Sequence, residues 1–300
     1  MALIAMNPRR RLLLASLASL GLPACLSNGS KPAPPQPQPL KIGLALGGGA
    51  AKGFAHIGVI KALEAQGIVA DIVAGTSAGS VVGALYAAGL SGFELQKLAM
   101  ELDESQVSDW SLPDRGVFKG EALQNFVNKA VGNLSLEKLP RSFAAVATDL
   151  RSGELVAFRT GNTGMAVRAS SSVPGIFQPV AINGREFVDG GAVSPVPVRT
   201  ARSMGANFVI AVDISSKPKD GKTQSTVDVL LQTFSIMGQA IGRFEMAEAD
   251  LVIRPLTAEL PAADFQARHK AILEGEKAAA KAMPELKARL ESARRPSGLS

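Results

Sequence analysis

The 300-residue sequence is 46% hydrophobic and 5% aromatic, which supplies a sizeable core but few rings on which nucleic-acid bases could stack. Its formal charge is +6, of which Arg9, Arg10 and Arg11 supply three, and residues 262–300 account for the rest with 8 Lys+Arg against 5 Asp+Glu. No basic face is left for a nucleic-acid partner.

Residues 1–24 read as an export signal. Three arginines precede an apolar run of 11 residues, 12–22, too short for a bilayer span of about 20. Leu22-Pro23-Ala24-Cys25 resembles a lipobox, in which the cysteine is lipidated and becomes the mature N-terminus. Cys25 is the only cysteine, so no internal disulfide is available, and lipidation accounts for the lone thiol. Leu26 follows it where an inner-membrane lipoprotein commonly has aspartate. The expected location is the outer membrane, facing the periplasm, with a lipid anchor as the membrane contact. The segment 25–40 is rich in proline, five of them between residues 27 and 39, and reads as an extended spacer.

Residues 41–46 read as a strand. It enters Gly47-Gly48-Gly49-Ala50-Ala51-Lys52-Gly53 and then a helix through Phe54, Ile57, Ile60 and Leu63, closed by Gly67. Such a loop offers free backbone N–H groups to an anion. A P-loop lacks its Gly-Lys-Ser/Thr ending, and the dinucleotide spacing puts Lys52 or Ala50 where glycine is required. No nucleotide is therefore expected. An oxyanion hole is the remaining reading, because the next strand, residues 69–74, ends in Gly75-Thr76-Ser77-Ala78-Gly79 before a new helix. Serine squeezed between strand and helix, with Gly75 and Gly79 around it, describes a nucleophile elbow.

Further along, Ser91 and Glu94 form a capping box, residues 120–131 a helix, and residues 143–148 and 155–159 a hairpin. The stretch around Trp110 is loop-like. Residues 169–177 read as a small-residue turn, and Asn183-Gly184 joins two more strands. Asp189-Gly190-Gly191 follows at once. Residues 197–204 read as a helix and 208–212 as a buried strand. Val227, Leu230, Phe234, Met237 and Ile241 repeat at helical spacing and read as a core-facing stripe. A short strand at 251–253 precedes a charged, alanine-rich helix from residue 262. This order implies an α/β fold, with three layers and a mostly parallel central sheet covered by helices on both faces.

A serine nucleophile needs a base. The chain has two histidines. His56, beside the glycine loop, reads as structural; His269 sits between Arg268 and Lys270 in mid-helix, a poor place for a triad histidine. Asp149, Asp189 and Asp213 all end strands. Asp189 stands out because Gly190 and Gly191 leave space beside it. An aspartate with an ordinary pKa of about 3.9 is a weak base, so Asp189 should be desolvated.

With these residues in place, the chain resembles the patatin-like phospholipase family over about residues 41–256, leaving 257–300 as a C-terminal helical extension. The resemblance rests on the glycine loop, on His56-Ile57-Gly58-Val59, on the elbow at Ser77, on residues 169–177, and on Val188-Asp189-Gly190-Gly191. It implies a Ser77–Asp189 dyad, an oxyanion hole in the glycine loop (Gly47, Gly48, Gly49) with Ala78, and lipid or phospholipid esters as substrates. It implies neither a metal nor another cofactor. The sequence departs from the family at Ala50, commonly a fourth glycine; at Lys52, commonly arginine; and at Ser194, often asparagine. Two other readings of the same residues are an acyltransferase and a non-catalytic lipid-binding lipoprotein.

Overall fold

The computed structural model describes residues 39–107, 109, 116–215, 223–257, 260 and 265–295. The expected export signal, Cys25, most of the proline-rich spacer and Trp110 lie outside them.

Three almost unbroken apolar runs make the centre of the sheet: β1 (Ile42–Leu46), β2 (Ile72–Thr76) and β7 (Phe208–Val212), buried along their whole lengths. A strand covered on both faces has no solvent side on which to place polar residues. β1 pairs in parallel with both others, so that Ala45 lies between Ala74 and Ala211. β3 (Ser142–Asp149) adds in parallel to β2, and β8 (Leu251–Ile253) to β7. Antiparallel pairing enters at one side only. There β4 (Leu155–Phe158) and β6 (Arg185–Asp189) both pair with β3, and β5 (Val180–Ile182) pairs with β6. The strand order is β5-β6-β3-β2-β1-β7-β8, with β4 beside β3.

The two faces of the sheet differ in side-chain size. Leu44, Leu46, Ile210 and Val212 pack under α1 (Phe54–Glu64), α2 (Ala78–Ala87) and α8 (Arg268–Arg294). On the other face Ala45, Ala74 and Ala211 meet Val198 and Ala201 of α6 (Val198–Ser203). The result is the expected three-layer α/β/α arrangement around a mostly parallel sheet. The capping box at Ser91 and Glu94 is present at the start of α3 (Gly92–Glu101), and α4 (Glu121–Ala130) follows.

Three elements differ from the expectation. The run 69–74 pairs as β2 only from Ile72, with Val69 half exposed ahead of it. Residues 169 and 170 close a helix, α5 (Thr163–Ser170), which precedes the turn at 171–177. Asn162 caps it by accepting from the Met165 N–H at 2.7 Å. Its short run of small and polar residues gives little periodic signal. The stripe on α7 (Thr226–Met246) does not face the core: Val227, Leu230 and Met237 are exposed, and Phe234 and Ile241 are only partly covered. The helix meets the body along a narrow seam through Phe234 and Gly242, and only Gly242 and Glu245 are buried. Val229, Ile236 and Phe244 extend its outward apolar surface.

α8 presses onto α1 at two glycines. A Cβ at Gly275 would stand 2.0 Å from the Ala55 carbonyl oxygen, and one at Gly58 would stand 1.9 Å from that of Ile272. Gly275→Ala is therefore expected to destabilise the fold by about 1–3 kcal/mol despite alanine's better helix propensity. A lower urea midpoint checks this; an unchanged midpoint would mean the helices part without cost.

Candidate active site

Ser77 joins β2 to α2 with φ 54° and ψ −125°. This region is rare for a residue with a side chain and costs about 1–3 kcal/mol, so the surroundings must hold it. The Ser77 N–H donates to Ser170 Oγ at 3.0 Å, and that hydroxyl donates to the Val146 carbonyl at 2.6 Å. The Ser77 carbonyl accepts from Ser80 Oγ at 2.7 Å. The backbone also folds tightly onto the end of β1: a Cβ at Gly79 would lie 2.1 Å from the Leu46 oxygen, and one at Gly75 would lie 2.4 Å from the Gly79 oxygen. Only hydrogen fits at either position.

The glycine loop leaves β1 between β2 and β7, where the chain order across the sheet reverses and α/β folds open a crevice. The loop lies against the elbow, with a Cβ on Gly48 falling 3.2 Å from Ser77 Cβ. Its donors differ from the expectation. The Gly47 N–H donates to the Val212 carbonyl at 3.0 Å and the Gly48 N–H to the Pro195 carbonyl at 3.0 Å. Neither is free for an oxyanion; these two residues shape the loop instead. The N–H groups of Gly49 and Ala78 donate to no carbonyl among the described residues. Ala50, which opens a 3-10 turn through Gly53, has φ 50°, a left-handed value that glycine would adopt without strain. Lys52 is buried within that turn.

His56 is buried, and its Nε2–H donates to the Gly47 carbonyl at 2.8 Å. Burial lowers its pKa to about 4, against weaker opposition from that bond and from Asp213. It is a neutral strut under the glycine loop. His269 is exposed on α8.

The three aspartates separate by their partners. Asp149 accepts from the N–H groups of Ser152 and Arg151 and from Arg185 Nε at 2.7 Å, which hold its pKa down to about 2. Asp213 accepts from the Ser215 N–H and hydroxyl and sits 3.4 Å from Arg254. Asp189 is 1% exposed. Its Oδ1 accepts from the Gly191 N–H at 2.7 Å, while Oδ2 is buried and has no hydrogen-bond partner among the described residues. Burial raises its pKa to about 6, and the adjacent Ser77 side chain and the Gly191 N–H pull the other way. The serine thus faces a carboxylate with one unused oxygen. Such contacts commonly tighten when substrate binds.

Ser77 and Ala78 also line a cavity of about 330 Å³ whose walls are apolar, among them Val81, Val82, Leu123, Phe126 and Ile176. A fatty acyl chain suits such walls better than a polar substrate. Sequence reasoning missed Ser170 as the acceptor behind Ser77. It stands in a run of three serines, and only the fold distinguishes it from Ser171 and Ser172.

A sequence model described as patatin-like phospholipase matches residues 44–202. An uncharacterized NTE family protein of Mycobacterium bovis is 38% identical over 178 residues, 58% of this chain and 49% of that protein. The human patatin-like phospholipase domain-containing protein 6 is 36% identical over 184 residues, 59% of this chain and 13% of that protein. Lysophospholipase NTE1 of Coccidioides immitis is 36% identical over 181 residues, 58% of this chain and 12% of that protein. The aligned part is thus about half of the mycobacterial relative and a small share of the other two. Among solved structures, VipD of Legionella pneumophila shares the fold with a TM-score of 0.60 at 15% identity, covering 82% of this chain and 67% of that one.

Asp189→Asn keeps an acceptor for the Gly191 N–H and removes a buried charge. Between the ordinary 3.8 and about 6 the folded chain binds a proton that the unfolded chain has released. Wild-type stability therefore falls as pH rises through that window, by on the order of 2–3 kcal/mol once pH 7 is reached. The variant's thermal midpoint should match the wild type near pH 4 and exceed it at pH 7. Equal midpoints at pH 7 would contradict a desolvated carboxylate.

Proposed function

The chain belongs to the patatin-like phospholipase family, and from that premise we propose that it is a serine lipid acyl hydrolase of the phospholipase A or lysophospholipase type. One observation carries the reading: a strained serine faces a desolvated carboxylate with an unused oxygen beside an apolar cavity. In the proposed reaction Ser77 Oγ attacks the ester carbonyl and Asp189 Oδ2 accepts the hydroxyl proton. The N–H groups of Gly49 and Ala78 take up the negative charge of the tetrahedral intermediate. The intermediate collapses, and the departing alcohol or lysolipid receives the proton from Asp189. The acyl chain, held in the cavity, remains as an ester on Ser77. Asp189 then takes a proton from water as the water attacks the acyl carbonyl, the Ser77 Oγ–acyl bond breaks, and Asp189 returns the proton to Ser77 Oγ as the fatty acid leaves. His56 is given no part in proton transfer, because burial lowers its pKa to about 4, too weak a base near neutral pH, while its Nε2–H supports the Gly47 carbonyl.

The test is covalent labelling with a fluorophosphonate together with hydrolysis of a soluble short-chain ester and of lysophosphatidylcholine. An adduct on Ser77 is expected, and Ser77→Ala and Asp189→Asn should each lose at least about 10³-fold in kcat/KM. His269→Ala should leave it unchanged. Asp189 must be ionised to accept a proton, so kcat/KM should rise about tenfold per pH unit below a pKa of about 6 and level off above it. Folded protein that neither labels nor hydrolyses any of these esters would favour the lipid-binding reading. Acyl transfer to added lysolipid would favour the acyltransferase.

We also propose, from the sequence alone, that the mature chain is tethered through a lipidated Cys25 at the periplasmic side of an outer membrane. Cys25→Ser should abolish incorporation of labelled palmitate and move the protein to the soluble periplasmic fraction. Unchanged fractionation would remove the anchor.

A further inference from the structure

The reaction above makes no use of Glu245. This residue lies on the inner side of α7 and is 3% exposed. Its Oε1 accepts from Ser194 Oγ–H at 2.5 Å and its Oε2 from the Val196 N–H at 3.3 Å. Burial raises its pKa to about 7 against those two bonds and the field of Arg199, which itself pairs with Glu248.

The segment that Glu245 holds is irregular: residues 194–197 belong to neither strand nor helix, and Pro195 has no N–H with which to tie itself down. Yet two of its carbonyls are used by the active site. The Ser194 carbonyl accepts from Thr76 Oγ1 at 2.7 Å, one residue before the nucleophile. The Pro195 carbonyl accepts from the Gly48 N–H at 3.0 Å, in the glycine loop. A single carboxyl thus reaches both sides of the reacting centre through one short stretch of chain.

We infer that Glu245 is a positioning residue for the acyl-transfer site, fixing residues 194–196 so that they hold the Ser77 elbow and the glycine loop in register. For stability alone a well-packed apolar side chain would serve as well as a buried carboxyl or better. Two hydrogen bonds to one irregular segment, by contrast, fix a position. A displacement of about 1 Å in such a site can cost 10²-fold in rate. The inference rests on the hydrolase reading and deepens it.

The experiment compares the purified full chain with Glu245→Ala, Glu245→Gln and Ser194→Ala, measuring kcat and KM on p-nitrophenyl butyrate, the rate of fluorophosphonate labelling, and circular dichroism. Glu245→Ala should lower kcat and the labelling rate in parallel by about 10–100-fold, with KM within about twofold. Glutamine should restore kcat to within about threefold, since its oxygen can accept from Val196 and its NH₂ can donate to Ser194 Oγ. Ser194→Ala removes one bond and should cost about 3–10-fold in kcat. A folded alanine variant with wild-type kcat overturns the inference, as does a glutamine variant as slow as the alanine one. If Glu245→Ala does not fold, Ser194→Ala decides, and wild-type kcat there overturns it. A wild type that neither labels nor turns over overturns the hydrolase reading itself, and this inference with it.

Discussion

Asp189 is a carboxylate buried beside a serine, with one backbone donor and no paired cation among the described residues. Desolvation makes it a better base than an aspartate in water, and it also makes the charged site unstable on its own. The surroundings therefore have to be rigid. The Asp189 carbonyl accepts from Thr148 Oγ1 at 2.9 Å, and its N–H donates to the Ser172 carbonyl at 2.9 Å. The next residue, Gly190, passes so close to β3 that a Cβ would stand 2.2 Å from the Val146 oxygen. Val146 O also accepts from Ser170, which holds the Ser77 N–H. Serine and aspartate are thus referred to the same point on one central strand.

The same burial acts in opposite directions on the two candidate bases. In water histidine is the stronger base. Here desolvation holds His56 at about 4 and Asp189 at about 6, which reverses the order. The fold turns the histidine into a neutral hydrogen-bond donor under the glycine loop and leaves the carboxylate as the group able to take a proton near neutral pH. Glu245 gives a second contrast. It too is desolvated, but both of its oxygens are occupied. An acid with a free oxygen suits proton transfer, and an acid with none suits holding chain in place.

Much of the framework was legible because its signals are local. β1 and β7 announce themselves as short apolar runs, α3 by its capping box, and the β5–β6 hairpin by Asn183-Gly184. Ser77 and Asp189 could be placed together because glycines around a serine and after an aspartate mark backbone that other chain must approach closely. The misreadings have separate causes. α5 has no apolar period because its packing uses small residues, with a Cβ on Gly164 falling 2.2 Å from the Gln124 oxygen. α7 has the period, but a stripe does not say which side of the helix meets the body. The seam is set by Phe234 against Gly191 and by Pro195 against Gly242.

The strand–serine–helix elbow, the glycine loop and the Asp-Gly-Gly turn could be read from the sequence, since each is marked by residues a few positions apart, and the alternation of strands and helices gave the layered α/β class. Which amides at the site stay unpaired depended on the folded chain. Gly47 and Gly48 lose theirs to the Val212 and Pro195 carbonyls, from chain far away in sequence, while those of Gly49 and Ala78 meet no carbonyl among the described residues. The folded chain likewise decided that Asp189 is dry, which raises its pKa to about 6, and that Glu245 bonds the segment beside the glycine loop. Hydrogen-bond partnership and desolvation are properties of what surrounds a group, and in a doubly covered sheet much of those surroundings comes from chain distant in sequence.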